Sequence, residues 1–163
     1  MRDLIAGLVA VALLLVAASL ATTLTVYRGR RRRLRETERA LGRTVVAEIP
    51  AGDDLVLFSE DEHRFQYGER SIDKNRILAV RMLINGAPIA AYASHTETAS
   101  VVTPTSFEDR PDGIARDRWD VAIESADETM LVECGAIRER VSQELARAVF
   151  DTVRRALERR DRA

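Results

Sequence analysis

The chain has 163 residues, 25 Lys+Arg against 26 Asp+Glu, a formal net charge of −1, one cysteine and 5% aromatic residues. Those totals exclude a dedicated nucleic-acid binder, a disulfide-stapled scaffold and a polytopic membrane protein. They also average over unlike segments, because residues 28–43 hold eight Arg and two Glu, a net +6, whereas residues 44–163 hold a net −7.

Residues 4–27, LIAGLVAVALLLVAASLATTLTVY, carry no charged side chain. Twenty-four residues at 1.5 Å each make about 36 Å of helix against roughly 30 Å of hydrocarbon, so the run predicts one membrane-spanning helix within residues 1–27. The rival is a cleaved signal peptide, with Ser19-Leu20-Ala21 as the cleavage motif and a mature chain beginning near Thr22. Apolar sequence continuing to Val26 and a barely positive start argue against cleavage. Arg28, Arg30, Arg31, Arg32, Arg33 and Arg35 follow the run and only Arg2 precedes it. Retention of positive flanks on the cytoplasmic side then predicts a single-pass protein of the inner or plasma membrane, with its N-terminus outside and its C-terminal part cytoplasmic.

Residues 28–43 form an Arg-rich connector with too few apolar residues to pack into a domain. The six arginines named above are the candidate contacts to lipid headgroups. With no aromatic residue interleaved for base stacking, a nucleic-acid partner is not expected.

Residues 44–163 have the size of one domain. Short strands are predicted at 44–50, 54–59 and 63–68, the last two joined through Glu60-Asp61-Glu62, with Phe65 and Tyr67 on one face. A polar link around Asp73 and Asn75 leads to strand 76–84. Asn85-Gly86 supplies the residues that accept positive φ in a tight hairpin, and strand 87–93 returns. Residues 94–116 read as a long loop. Strand 118–125 alternates, with Trp119, Val121 and Ile123 toward the core, and pairs with 129–134. Gly135 closes it, and an amphipathic helix follows over 136–160, with Ile137, Val141, Leu145, Val149, Val153 and Leu157 at every fourth position.

Three stretches, DLVLFSEDEHRFQYGERSIDKNRILAV, RWDVAIESADETMLVECG and AIRERVSQELARAVFDTVRRALE, give about seven short strands and a closing helix. This order resembles the pleckstrin-homology-like (PH-like) domains of small bacterial membrane-attached proteins. The resemblance implies an α+β fold: a mostly antiparallel, partly open barrel closed by the C-terminal helix, behind the predicted anchor. It also implies a non-enzymatic role in binding phosphoinositides, peptides or proteins. The loops at 50–54 and 59–62 are acidic and would repel phosphate headgroups. The expected function is therefore a membrane-anchored cytoplasmic module that recruits or scaffolds a protein, with a homo-oligomer as one form of that partnership and an anionic-lipid-binding module as the alternative. An edge strand or the 94–116 loop would make the contact, with Tyr92 and Phe107 as candidate partner-contact residues.

The chemistry-bearing residues are few. Cys134 with His63 or His95 is formally a thiol-imidazole pair, but Cys134 falls on an alternating strand where a buried, inert thiol is the ordinary outcome. His63 with Glu60, Asp61 and Glu62 has metal-ligand chemistry, on a turn whose adjacent carboxylates rarely converge. No catalytic residue, metal or cofactor is expected.

Overall fold

A computed structural model of the chain describes residues 2–52, 54–94 and 117–162; the side chains of residues 2–12, 21, 23, 24, 26 and 27 also lie outside the description. The predicted 94–116 loop falls almost entirely outside the described residues, as do Phe107 and His95. The chain forms two compact units, Met1–Leu41 and Gly42–Ala163.

The first unit is helix α1, Arg2–Ala40, which continues unbroken through the arginines. Among the described residues no helix is long and apolar enough to cross a membrane. This corrects the expected spanning helix. The single-pass topology and the inner- or plasma-membrane placement go with it.

The second unit is α+β. Its strands are β1 (Thr44–Ala51), β2 (Asp54–Glu60), β3 (Arg64–Tyr67), β4 (Arg70–Asp73), β5 (Ile77–Ile84), β6 (Ala87–Ala93), β7 (Arg118–Ser125) and β8 (Thr129–Ala136). A 3-10 turn at Lys74–Arg76 joins β4 to β5, and helix α2, Arg140–Asp161, ends the chain. The strands form two four-stranded antiparallel sheets, ordered β1-β2-β3-β4 and β6-β5-β7-β8. Among the described residues eight strands in two sheets replace the seven strands and the partly open barrel expected; the additional strand arises because the polar link contains β4. Only Ile72 of β4 is buried, so no alternation marks it. β5 lies between β6 and β7, so the second sheet is not a simple succession of hairpins.

Turn chemistry sets several of these connections. Asn85 and Gly86 take positive φ, 53° and 81°, and leave a two-residue loop between β5 and β6. The Asp61 carboxylate accepts the backbone N–H groups of His63 and Arg64 at 2.8 and 2.7 Å, closing the turn between β2 and β3. Asp73 accepts the Asn75 N–H at 2.8 Å and starts the 3-10 turn.

The core lies between the two sheets and α2. Phe58 and Phe65 stack with centroids 5.6 Å apart, and Trp119, Val121 and Ile123 are buried as their alternation predicts. From α2 the buried side chains are Ser142, Ala146, Val149, Phe150, Thr152, Val153 and Leu157. Val141, expected inside, is 61% exposed. A strict four-residue step advances about 40° per step around a helix, so the series reaches the buried face only at Val149, Val153 and Leu157 and leaves Val141 off it.

Candidate functional site

Among the described residues, β6 is one edge of the second sheet and presents an exposed pairing surface. Its seven residues, APIAAYA, carry no charge. Ala87, Pro88, Ile89, Ala91 and Ala93 are exposed, Ile89 by 50%. Uncharged edge strands offer unpaired backbone groups to another strand. Here the first half is blunted, because Pro88 has no N–H and the register shifts at Met82/Leu83, where Ala90 opposes Met82 and Pro88 opposes Leu83. The second half, Ala90 to Ala93, is regularly paired with β5 on its inner side.

Tyr92, expected as an exposed partner contact, is half-buried and packs against the core. Its hydroxyl donates to Asp161 Oδ2 at 3.3 Å, and Ser94 Oγ donates to Asp161 Oδ1. Desolvation and the Asp161 carboxylate together push the Tyr92 phenol up from its ordinary value. The end of β6 is thereby clasped to the end of α2. The backbone edge and Ile89, rather than the tyrosine ring, are what β6 offers outward.

A cleft of about 500 Å³ opens elsewhere on this unit, and its lining includes Glu60, Asp61, Glu62, Lys74, Arg159 and Arg160. Its charges hold the fold together. Lys74 Nζ donates to Glu60 Oε2 at 2.7 Å and to the Asp61 carbonyl at 2.6 Å, and lies 4.7 Å from the centroid of the Phe65 ring. Arg160 Nη1 donates to the carbonyls of Lys74 and Asn75 at 3.1 and 2.9 Å, fastening α2 to the 3-10 turn. Desolvation raises the Asp61 carboxyl, but the two backbone N–H donors and the charges of Arg43 and Lys74 outweigh it and leave it below its ordinary value. An acidified, doubly bonded carboxylate is a poor general base near neutral pH. His63 lies at 4.0 Å from Glu62 with both side chains exposed. Glu60 and Asp61 are turned to Lys74 and to the backbone, so the turn does not converge on a metal, and among the described residues no group of three or more metal-ligating side chains occurs.

Comparison with known proteins adds no relative. No family model, curated protein or solved structure matches the chain. The reading of the site therefore rests on its geometry.

Cys134 is fully buried on β8. Desolvation, with a smaller contribution from the Asp120 carboxylate, pushes its thiol up to about 12, so it is protonated and unreactive near neutral pH. Beside it lies an ion network that alternation did not foretell. Arg118 Nε meets the buried Asp120 carboxylate at 3.0 Å and Arg118 Nη2 meets Glu133 Oε1 at 2.9 Å, while Arg81 pairs with Glu124 at 3.2 Å. Asp120 and Ala122, on the face of β7 opposite Trp119, Val121 and Ile123, are buried as well. The only local hint was the arginine two residues before Asp120.

The six candidate headgroup arginines are exposed along α1, with Arg32 Nε donating to Glu36 Oε1 at 2.8 Å. The helix does not keep them together. Arg28, Arg31, Arg32 and Arg35 share one face, and Arg30 and Arg33 fall on the opposite side.

Proposed function

We propose that the Gly42–Ala163 unit is a non-catalytic, PH-like binding module that recruits a protein partner by adding an extended segment of that partner to the β6 edge. The observation that carries this reading is the uncharged, exposed edge of β6 in a chain where 31% of residues are charged. Main-chain hydrogen bonds along Ala90 to Ala93 would provide the pairing, and Ile89 an apolar contact beside it.

Photocrosslinking tests the proposal. A photoreactive residue placed in cells at Ile89 or Ala91 is expected to give one discrete protein adduct. The same residue at Arg147, exposed on α2, is expected to give none. Adducts of equal yield from all three positions, or none from β6, would overturn the proposal. An adduct between two copies of this chain would identify the partner as itself.

A further inference from the structure

Helix α1 carries a surface that the binding module does not account for. At 3.6 residues per turn, Arg28, Arg31, Arg32, Arg35 and Arg39 fall within about 100° of arc. All five are exposed on one continuous helix. Traced toward the N-terminus, the same face passes through Leu20, Ala17, Leu14 and Leu13, and these three leucines are 60%, 69% and 65% exposed respectively. The face is apolar for its first part, where Leu15 and Val16 on the other side are exposed as well, and basic for its second.

We infer that this face of α1 binds an anionic phospholipid surface. The basic stripe is about 16 Å long, enough to lie across several headgroups, and guanidinium groups pair with phosphate oxygens through two parallel hydrogen bonds. The leucines reach the acyl boundary beside it, an environment that a helix lying in the interface uses for its apolar side chains. A duplex or an unfolded nucleic acid satisfies only half of this surface. It would leave Leu13, Leu14 and Leu20 in water, and residues 28–40 contain no aromatic side chain to stack on bases. Glu36, held by Arg32, and Glu38 border the stripe without interrupting it.

The test uses the full chain and sedimentation with vesicles of phosphatidylcholine alone or with roughly 30% phosphatidylglycerol, at low and high salt. Binding to the anionic vesicles is expected to exceed that to neutral ones by at least about tenfold at low salt and to fall as salt rises. Two variants remove the same number of charges. Arg31→Gln with Arg35→Gln, both on the stripe, is expected to lower anionic binding by roughly tenfold or more, whereas Arg30→Gln with Arg33→Gln costs less than about threefold. Glutamine is nearly as good a helix former as arginine, and far-UV circular dichroism confirms that both variants stay helical. Equal losses from the two pairs would overturn the inference, as would absence of a preference for anionic vesicles. Tighter binding to duplex DNA or to polyglutamate than to the vesicles would assign the stripe to that partner instead.

Discussion

Gly135 faces Ser142 so closely that a Cβ on the glycine would lie 2.5 Å from the serine Oγ. Gly135 also holds φ at 111°, in a region that side chains disfavour. This contact is where the last strand turns into α2, and Ser142 is itself buried and donates to Glu139 Oε2 at 3.2 Å. Gly135→Ala is expected to cost about 2 to 4 kcal/mol, combining backbone strain with the clash. In a Ser142→Ala background the same change should cost less by about 1 kcal/mol, since the nearest atom has gone while the backbone strain stays. Urea unfolding of the four proteins measures both quantities.

Burial of Cys134 has a pH signature. A thiol raised in the folded protein from its ordinary value near 9 to about 12 binds its proton more tightly folded than unfolded. Stability is therefore unaffected well below pH 9 and falls as pH rises through the unfolded value, by up to about 1.4 kcal/mol at pH 10. Tyr67 is pushed in the same direction by burial, from an ordinary value of 10.0, so it acts at higher pH. Urea midpoints at pH 7 and 10 should separate in the wild type. In Cys134→Ala the separation should shrink by most of that amount, and an unchanged separation would assign the effect elsewhere. The native thiol should also resist a thiol reagent at pH 8 until the protein is unfolded.

What was legible in the sequence was local. Asn85-Gly86 specified its hairpin because the requirement for positive φ is a property of two residues, and the alternation of β7 placed Trp119, Val121 and Ile123 in the core. β4 escaped because three of its four residues are polar and only Ile72 turns inward. The apolar periodicity predicts the start of α2 four residues too early. Gly135 reads as a strand terminator, yet the strand runs through it to Ala136, and Glu139 marks the helix start without a side-chain cap. Apolarity of the segment 87–93 was visible, but that it forms the sheet edge depends on β5 pairing with β7 across more than thirty residues of chain. The clasp of Asp161 onto Tyr92 joins positions 69 residues apart, and no pattern in either segment announces it. The uncharged N-terminal run was equally plain in the sequence, but length and apolarity there did not translate into a spanning helix among the described residues.

Lys74 illustrates how a cleft that looks chemical serves the fold. Its side chain is only 16% exposed, and its ammonium joins Glu60, the Asp61 carbonyl and the Phe65 ring. Lys74→Met keeps the stem volume and removes the donor, leaving a part-buried carboxylate and a carbonyl without it. An expected loss of about 1 to 3 kcal/mol follows. Pairing that change with Glu60→Gln should cost less than the sum of the two single changes, because the second variant discharges the carboxylate that the first leaves uncompensated. Strict additivity in denaturant unfolding would show that the pair is not coupled.

The clasp at Asp161 predicts a local rather than a global effect. Its carboxylate accepts the hydroxyls of Tyr92 and Ser94, and its side chain is 7% exposed. Asp161→Ala leaves both hydroxyls without this acceptor at the end of β6, whereas Tyr92→Phe removes a single donor and keeps the ring. The first is expected to cost about 1 to 2 kcal/mol and the second about 1 kcal/mol or less. Because the contact ties the last turn of α2 to the last residues of β6, hydrogen exchange should speed up at both ends together in Asp161→Ala and remain near wild type at Val121 and Val132 in the sheet interior. If the two ends exchange independently, or if protection is lost evenly across the unit, the clasp does not couple the helix end to the sheet edge.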